Sequence, residues 1–482
     1  MLVFIRVWMF RGVLLLTGFD WCAGQGYYEV KRLNQGEPLI DRAMFEAAGI
    51  AGDGRNINGP SLIKVPDWIP PEQRADPSAN YYLYFANHRG NYIRMAWAPA
   101  VEGPYQLFNA NPSTPEGQRG VLGLPQPSDE LFLRDGEIRL WQEFASPRVF
   151  VDHENQRILL FFHTFSGVRR NDGSGTYGMK GQKTHVALSI DGLDFNGQIE
   201  PVRLGDFYFD IWEREGRYYA WSNKGYLFQA PAGATLANNG LWTAPAGHDY
   251  RDDLWREYQG PIRENHASDP EEAADNPRHF GTRRVGDHLH LFFSRRDDLP
   301  ESIMLSIIDL GEDGPEQWQA SHPPETILAP ELEWEGVNYP LEPSENGSAT
   351  GVRQLRDPFI YEEEGRIYLF YSGAGEEAIG IAELIPRSPV SNIETGLLEV
   401  NETMWLACAM NRRLGHPGPW RLKRTGSLQP GEWHEVALDG IEGAMEVLDA
   451  NIGGEGTHER IRFSVPLSGD SDAHFIRVHY PL

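Results

Sequence analysis

The sequence predicts an all-β chain: a five-bladed β-propeller followed by a small C-terminal β-sandwich. Three observations predict it. One local pattern is written five times, at 80–88, 155–163, 215–223, 286–294 and 364–372. Each copy has a polar or Gly turn, an alternating aromatic and aliphatic run, and then a small or polar residue, as a β-strand leaving a hairpin should. The copies recur every roughly 60–80 residues, about one propeller blade with loops added. Finally, the composition is 12% aromatic and 40% hydrophobic, with no long amphipathic helical pattern, which suits strands packed face to face.

Taken in order, residues 1–24 read as a secretory signal. Arg6 and Arg11 flank a short apolar stretch, and Cys22-Ala23-Gly24 offers a small-residue cleavage site. The apolar run is too short and interrupted for a spanning helix, so no membrane span is expected, and the protein is expected to be secreted or periplasmic. Removal of this segment would leave only Cys408, which excludes a disulfide framework.

The propeller is expected over 40–386. Aligned on their aromatic residue, the five runs give Phe85, Phe162, Trp221, Phe293 and Tyr371 as a core column. A first strand precedes each run, at Pro60–Val65, Pro147–Val151, Phe207–Trp212, Phe280–Val285 and Pro358–Glu362. A third follows, at Tyr92–Ala98, His185–Ile190, Tyr226–Ala230, Ile303–Leu310 and Ala378–Leu384. Pro/Gly-rich insertions at 110–130, 231–275 and 321–350 are too long for hairpin turns and are expected to shape a pocket on the rim. After a Pro386–Pro389 linker, short alternating strands over 395–482 suggest the accessory β-sandwich.

The net charge of −26 argues against nucleic acid or an anionic membrane as partner, since phosphates would be repelled. An anionic glycan would need a local basic pocket.

The blade grammar, best preserved in Asp357-Pro358 followed by Gly365–Ser372, resembles the five-bladed propeller glycosidases of glycoside hydrolase families 43, 32 and 117, over roughly residues 50–385. That resemblance implies acidic residues converging on the propeller axis, one protonating the leaving oxygen and one attacking or activating water. The chain departs from the pattern. The first blade opens Asn56-Ile57-Asn58-Gly59-Pro60 and the second Ser146-Pro147-Arg148, neither with an Asp. Asp210 in the third blade, Glu342 and Glu345 in the loop before the last, and Asp357 in the fifth remain as the acidic candidates.

Histidine and arginine fill other strand ends. His88 and His163 end two of the runs and join Asp210 and Asp357 as catalytic candidates. Asn58, Asn87, Arg89, His185, His279, Arg295, Arg353 and Arg356 are the substrate-binding candidates. If these ends face one axis they make a cationic pocket suited to a uronate or sulfated sugar. Three readings follow: a glycosidase-like hydrolase, a polysaccharide lyase that removes a proton beside a uronate with His or Tyr (Tyr92, Tyr177 and Tyr226 being candidates), and a non-catalytic glycan-binding propeller. No cofactor is required, although histidines from different blades could hold a cation on the axis; no local zinc motif is present.

Overall fold

The aromatic runs become central strands because both of their faces are covered. In Tyr81–Ala86, Tyr81, Leu83 and Phe85 enter one inter-blade core, while Tyr82 and Tyr84 enter the next. In Arg157–Arg169, Ile158, Leu160 and Phe162 share a core with the first blade, while Leu159 and Phe161 face the third. Alternation of period two therefore appears as an unbroken apolar run, since either direction leads to another blade. The core column is as expected: Phe85, Phe162, Trp221, Phe293 and Tyr371 are all buried.

The structure is a computed structural model. It describes residues 27–87, 90–126, 128–264, 277–296, 298–311, 314–321, 323–343 and 350–387, together with the backbone of strands lying between 3 and 17 and between 390 and 479. The chain divides into two units, residues 30–284 with 289–384, and residues 1–29 with 285–288 and 385–482.

Five antiparallel sheets make the propeller. The first blade is Asn58–Lys64, Tyr81–Ala86, Tyr92–Ala98 and Gln106–Leu107. The second is Ile138–Asp152, Arg157–Arg169 and Tyr177–Ser189, with Glu130–Leu133 on the other edge of the first of these. The third is Asp210–Arg214, Arg217–Trp221, Leu227–Gln229 and Arg256–Tyr258. The fourth is Pro277–Val285, His288–Arg295, Ile303–Asp309 and Gln319–Ala320, with Glu325–Leu328 also pairing to Ile303–Asp309. The fifth is Arg356–Glu363, Arg366–Gly373 and Ala378–Pro386.

The fourth strand of the last blade is Tyr28–Arg32, from the other end of the chain. This closure lies outside the expected 40–386 span. It matters because a ring of blades joined by an N-terminal strand has no open edge at the seam. The seam is fastened by charge: Arg32 forks onto Glu335 at 2.7 and 2.8 Å, and Tyr371 donates to the same carboxylate at 2.7 Å. Leu33, Leu39, Ile40 and Phe45 then continue into the core shared by the fifth and first blades.

Parts of the insertions build the blades, while 265–276 and 344–349 lie outside the described residues. Leu122–Gly123 adds to the first blade, and Trp242 and Trp255 of the 231–264 stretch are buried in the core between the second and third blades. Two sheets form the second unit. One has the order Val390–Val400, Thr403–Arg413, His458–Pro466, Met445–Ile452. The other has the order Val13–Thr17, Val3–Phe10, Ala473–His479, Arg421–Thr425, His434–Val436. The expected C-terminal sandwich thus has its strands, and stacking of the two sheets depends on side chains outside those described. Part of the expected signal, 1–24, is paired with Ala473–His479. Among the described residues no helix is long and apolar enough to cross a membrane.

Candidate active site on the propeller axis

Each blade carries the same turn on or just before its inner strand. One residue takes a left-handed backbone, and a proline or phenylalanine follows it. The five residues are Gly59 (φ 63°), Ser146 (φ 47°), Tyr208 (φ 67°), His279 (φ 52°) and Asp357 (φ 52°). In the first, second and fifth blades the strand register breaks here, between Asn58 and Ser61, Ala145 and Arg148, and Arg356 and Phe359. These are bulges that re-aim a side chain. Only glycine adopts such a backbone freely. The other four each cost on the order of 1–3 kcal/mol, a strain that tends to persist where it serves a site.

All five line one small cavity, together with Pro60, Pro147, Arg148, Phe209 and Phe280. The Nδ1 atom of His279 lies 3.2 Å from Asp357 Oδ1, and Ser372 Oγ donates to Asp357 Oδ2 at 2.8 Å. The Tyr208 ring stands edge-on to His279, with centroids 4.6 Å apart. His163 stands behind Tyr208, edge-on at 5.1 Å. Burial pushes the Asp357 carboxyl up to about 6, with Glu376 adding to the rise against the Ser372 hydrogen bond and the Arg356 and Arg278 charges. Burial also pushes the Tyr208 phenol well above its ordinary range, so it keeps its proton.

The axis itself is filled by Arg148. Its guanidinium donates to the carbonyls of Pro60 (3.4 Å), Pro358 (3.2 Å) and Phe280, and pairs with Asp210 at 3.0 Å. It lies over the Phe359 ring at 5.0 Å. One side chain of the second blade therefore ties together the first, third, fourth and fifth. Asp210 is accordingly the buried counter-ion of Arg148, also hydrogen-bonded by Thr282, and it does not line the cavity. Burial raises its carboxyl to about 6 against the pull of Arg148. The third blade presents Tyr208, two residues earlier, at the position where Asp357 stands in the fifth.

Of the sequence candidates, the structure brings His279 and Asp357 together in the cavity, with His163 one layer behind. His185 is fully enclosed, with its ring against Phe162 (centroids 6.1 Å), and burial lowers it to about 3, so it stays neutral and does not reach the cavity. Arg356 is fully buried between Glu301 (3.1 Å) and Glu376 (2.9 Å). Arg295 pairs with Asp298 at 2.8 Å. Asn58 is buried and donates to Asn56 at 3.2 Å. Arg353 and Asn87 are half-buried and outside the cavity lining. His88 and Arg89 lie outside the described residues. The expected cationic pocket is thus corrected at Arg356, whose charge is spent on buried carboxylates, while Arg295 is half-buried beside Asp298 and outside the cavity lining. Tyr92 also turns inward, donating to Asp53 at 2.5 Å.

The residues that sequence reasoning missed are Tyr208, Ser146 and Arg148 as axial groups. A signal was present: Gly59-Pro60, Ser146-Pro147, Tyr208-Phe209, His279-Phe280 and Asp357-Pro358 are one motif in which phenylalanine replaces proline twice. No group of three metal-ligating side chains gathers among the described residues. The carbonyl oxygens of Pro60, Phe280 and Pro358 and the Asp210 carboxylate converge on the Arg148 guanidinium.

No family profile matches the chain. An uncharacterized protein of Acanthamoeba polyphaga mimivirus is 29% identical over 337 residues, covering 68% of this chain and 83% of the relative. Among solved structures, an α-L-arabinofuranosidase from Lactobacillus brevis is 10% identical with a TM-score of 0.39, covering 72% of this chain and 92% of that one. A putative glycoside hydrolase from Parabacteroides distasonis is 10% identical with a TM-score of 0.42, covering 75% and 97%. A GH43_1 enzyme from Xanthomonas citri is 13% identical with a TM-score of 0.36, covering 76% and 92%. At this level of likeness, the five-bladed architecture rests on the chain's own strand order.

Proposed function

We propose that the axial cavity binds a sugar and cleaves a glycosidic bond by acid–base chemistry, with Asp357 and His279 as the proton-exchanging pair. One observation carries this: five structurally equivalent left-handed residues from five blades meet in one cavity, and among them His279 contacts both Tyr208 and Asp357. A carboxyl near 6 holds its proton in mildly acid solution and can pass it to a departing oxygen. The protonated Tyr208 phenol offers a hydrogen bond to the same substrate.

The elimination reading is weaker on this geometry, because a lyase needs a cation to neutralise the uronate, and Arg148 and Arg356 are engaged by Asp210, Glu301 and Glu376. Non-catalytic glycan binding is the second reading. It is favoured by Asp357 being the single carboxylate among the described lining residues, where two-carboxylate hydrolysis needs a partner. We also infer export, with the basic and apolar residues before Cys22 as the leader; N-terminal sequencing of protein recovered from the secreting host tests this.

The functional test incubates the full chain with neutral and anionic polysaccharides, reading reducing ends and near-ultraviolet absorbance in parallel. Reducing ends that vanish in Asp357→Asn support hydrolysis at this site. Rising absorbance means elimination instead. Silence in both, with retained sugar binding that Tyr208→Ala removes, establishes the binding reading.

A further inference from the structure

A second set of ionisable groups lies directly behind the ring, and all of its members are buried. Arg278 forks onto Glu301, Nε to Oε1 at 3.0 Å and an Nη to Oε2 at 2.6 Å. Arg356 reaches the same carboxylate at 3.1 Å and Glu376 at 2.9 Å. Asn56 donates to Glu376 at 2.6 Å, and Asn58 donates to Asn56 at 3.2 Å. Ser294 donates to Glu301 at 2.7 Å, and Gln354 accepts from Arg356. Arg356, Glu301, Glu376 and Gln354 have no exposure at all, and Arg278 is 4% exposed.

The chain's register gives this network its meaning. Arg278 immediately precedes His279, Arg356 immediately precedes Asp357, and Asn58 immediately precedes Gly59. The flanking residue of each left-handed turn in the fourth, fifth and first blades is thus locked into one polar chain. Buried charges arranged this way are a costly means of adding stability, since an apolar core would serve at least as well. A fully hydrogen-bonded buried network does rigidify the segments that it joins and imposes a fixed field on them.

We infer that the Arg278–Glu301–Arg356–Glu376 chain is a positioning device for the axial pair: it holds the turns that present His279 and Asp357 to each other and sets the field in which they exchange a proton. The inference rests on the reading of the ring as the reactive site, but it concerns the ligand-free protein. The groups facing Asp357 are His279 and Arg278 from the fourth blade, Tyr208 from the third, and Arg356, Ser372 and Glu376 from the fifth. Glu376 is the negative charge that acts to keep Asp357 protonated.

The test is the infrared carbonyl stretch of protonated Asp357 in the full chain without ligand, assigned as the band missing from Asp357→Asn and followed against pH. Glu376→Gln removes the negative charge and should move the midpoint down by about one pH unit. Gln354→Glu adds a negative charge on the other side of Arg356 and should move it up. The two variants have opposite signs, and either one alone decides if the other fails to fold. A midpoint unchanged in a folded variant, with only the unfolding temperature lowered, would show that the network is merely structural and overturn the inference. Failure of the glycan assays would leave this titration standing, so the two readings fail separately.

Discussion

Replacing Arg148 with methionine keeps the stem and removes the guanidinium. Asp210 then loses its cation, and the carbonyls of Pro60, Phe280 and Pro358 lose a shared donor. Breaking a buried pair from one side costs about 3–5 kcal/mol, and each orphaned carbonyl adds on the order of 1 kcal/mol. The pH dependence separates these two parts. Asp210 titrates near 6 in the folded chain, above its ordinary 3.8. Below 3.8 the group is protonated in both states. Between 3.8 and 6 the unfolded chain releases the proton first, so stability falls as pH rises, and above 6 the penalty is constant. Without Arg148 the folded carboxyl titrates higher still, and the fall continues above 6 by about 1.4 kcal/mol per pH unit. Urea unfolding at pH 5 and pH 8, followed by tryptophan fluorescence, should show a deficit at pH 8 that exceeds the one at pH 5. Arg148→Met/Asp210→Leu should recover most of the difference, since no charge is then left buried. An equal deficit at both pH values, or a double variant less stable than the single one, would refute the axial ion pair.

Other perturbations test the seam and the ring. If Asp357 donates a proton, turnover should fall as pH rises through about 6, and a rate independent of pH from 5 to 8 would remove it from that role. Arg32→Ala opens the closure: Glu335 is held below its ordinary value of 4.5 by Arg32, the Glu331 and Leu332 amides and Tyr371, against the effect of burial. Its stabilising contribution is present above 4.5 and is lost as pH falls through the folded value, so the variant's deficit of roughly 3 kcal/mol at pH 7 should shrink toward pH 4 in thermal unfolding. Gly59→Asp places a second carboxylate in the ring. Its Cβ has room, the nearest atom being Ser146 Cα at 3.5 Å, and the left-handed backbone costs about 1–2 kcal/mol. Faster release of nitrophenol from neutral aryl glycosides than by the unmodified chain is expected, and no gain in a folded variant would mean that a missing carboxylate is not what limits the site.

The blades were legible because their signal is local. Alternation, turn residues and aromatic runs describe one hairpin at a time, and the five runs sit where the pattern puts them. The third strand Tyr92–Ala98 begins and ends as expected. The site was only partly legible. His279 and Asp357 stood out as polar residues at inner strands. Tyr208 was lost to a two-residue slip in the third blade, where Phe207 was aligned with the prolines instead of Phe209. That slip brought Asp210 forward, because an acid at nearly the right place is indistinguishable in sequence from one at the right place. His185 looked equivalent to His163 because both lie at strand ends. Both are buried, and their neighbours separate them, since one ring contacts Tyr208 and the other Phe162.

The sequence by itself determined the strands, their number of repeats and the residues that make the inter-blade cores, since these depend on neighbours within a few positions. Only the tertiary structure decided the rest. It brought Tyr28–Arg32 across the whole chain to close the ring, and set one arginine of the second blade against carbonyls and a carboxylate of the other four. It also turned Arg356 from a binding candidate into an internal ion pair. Those outcomes depend on which charges meet when five blades close on one axis, and no local pattern carries that information.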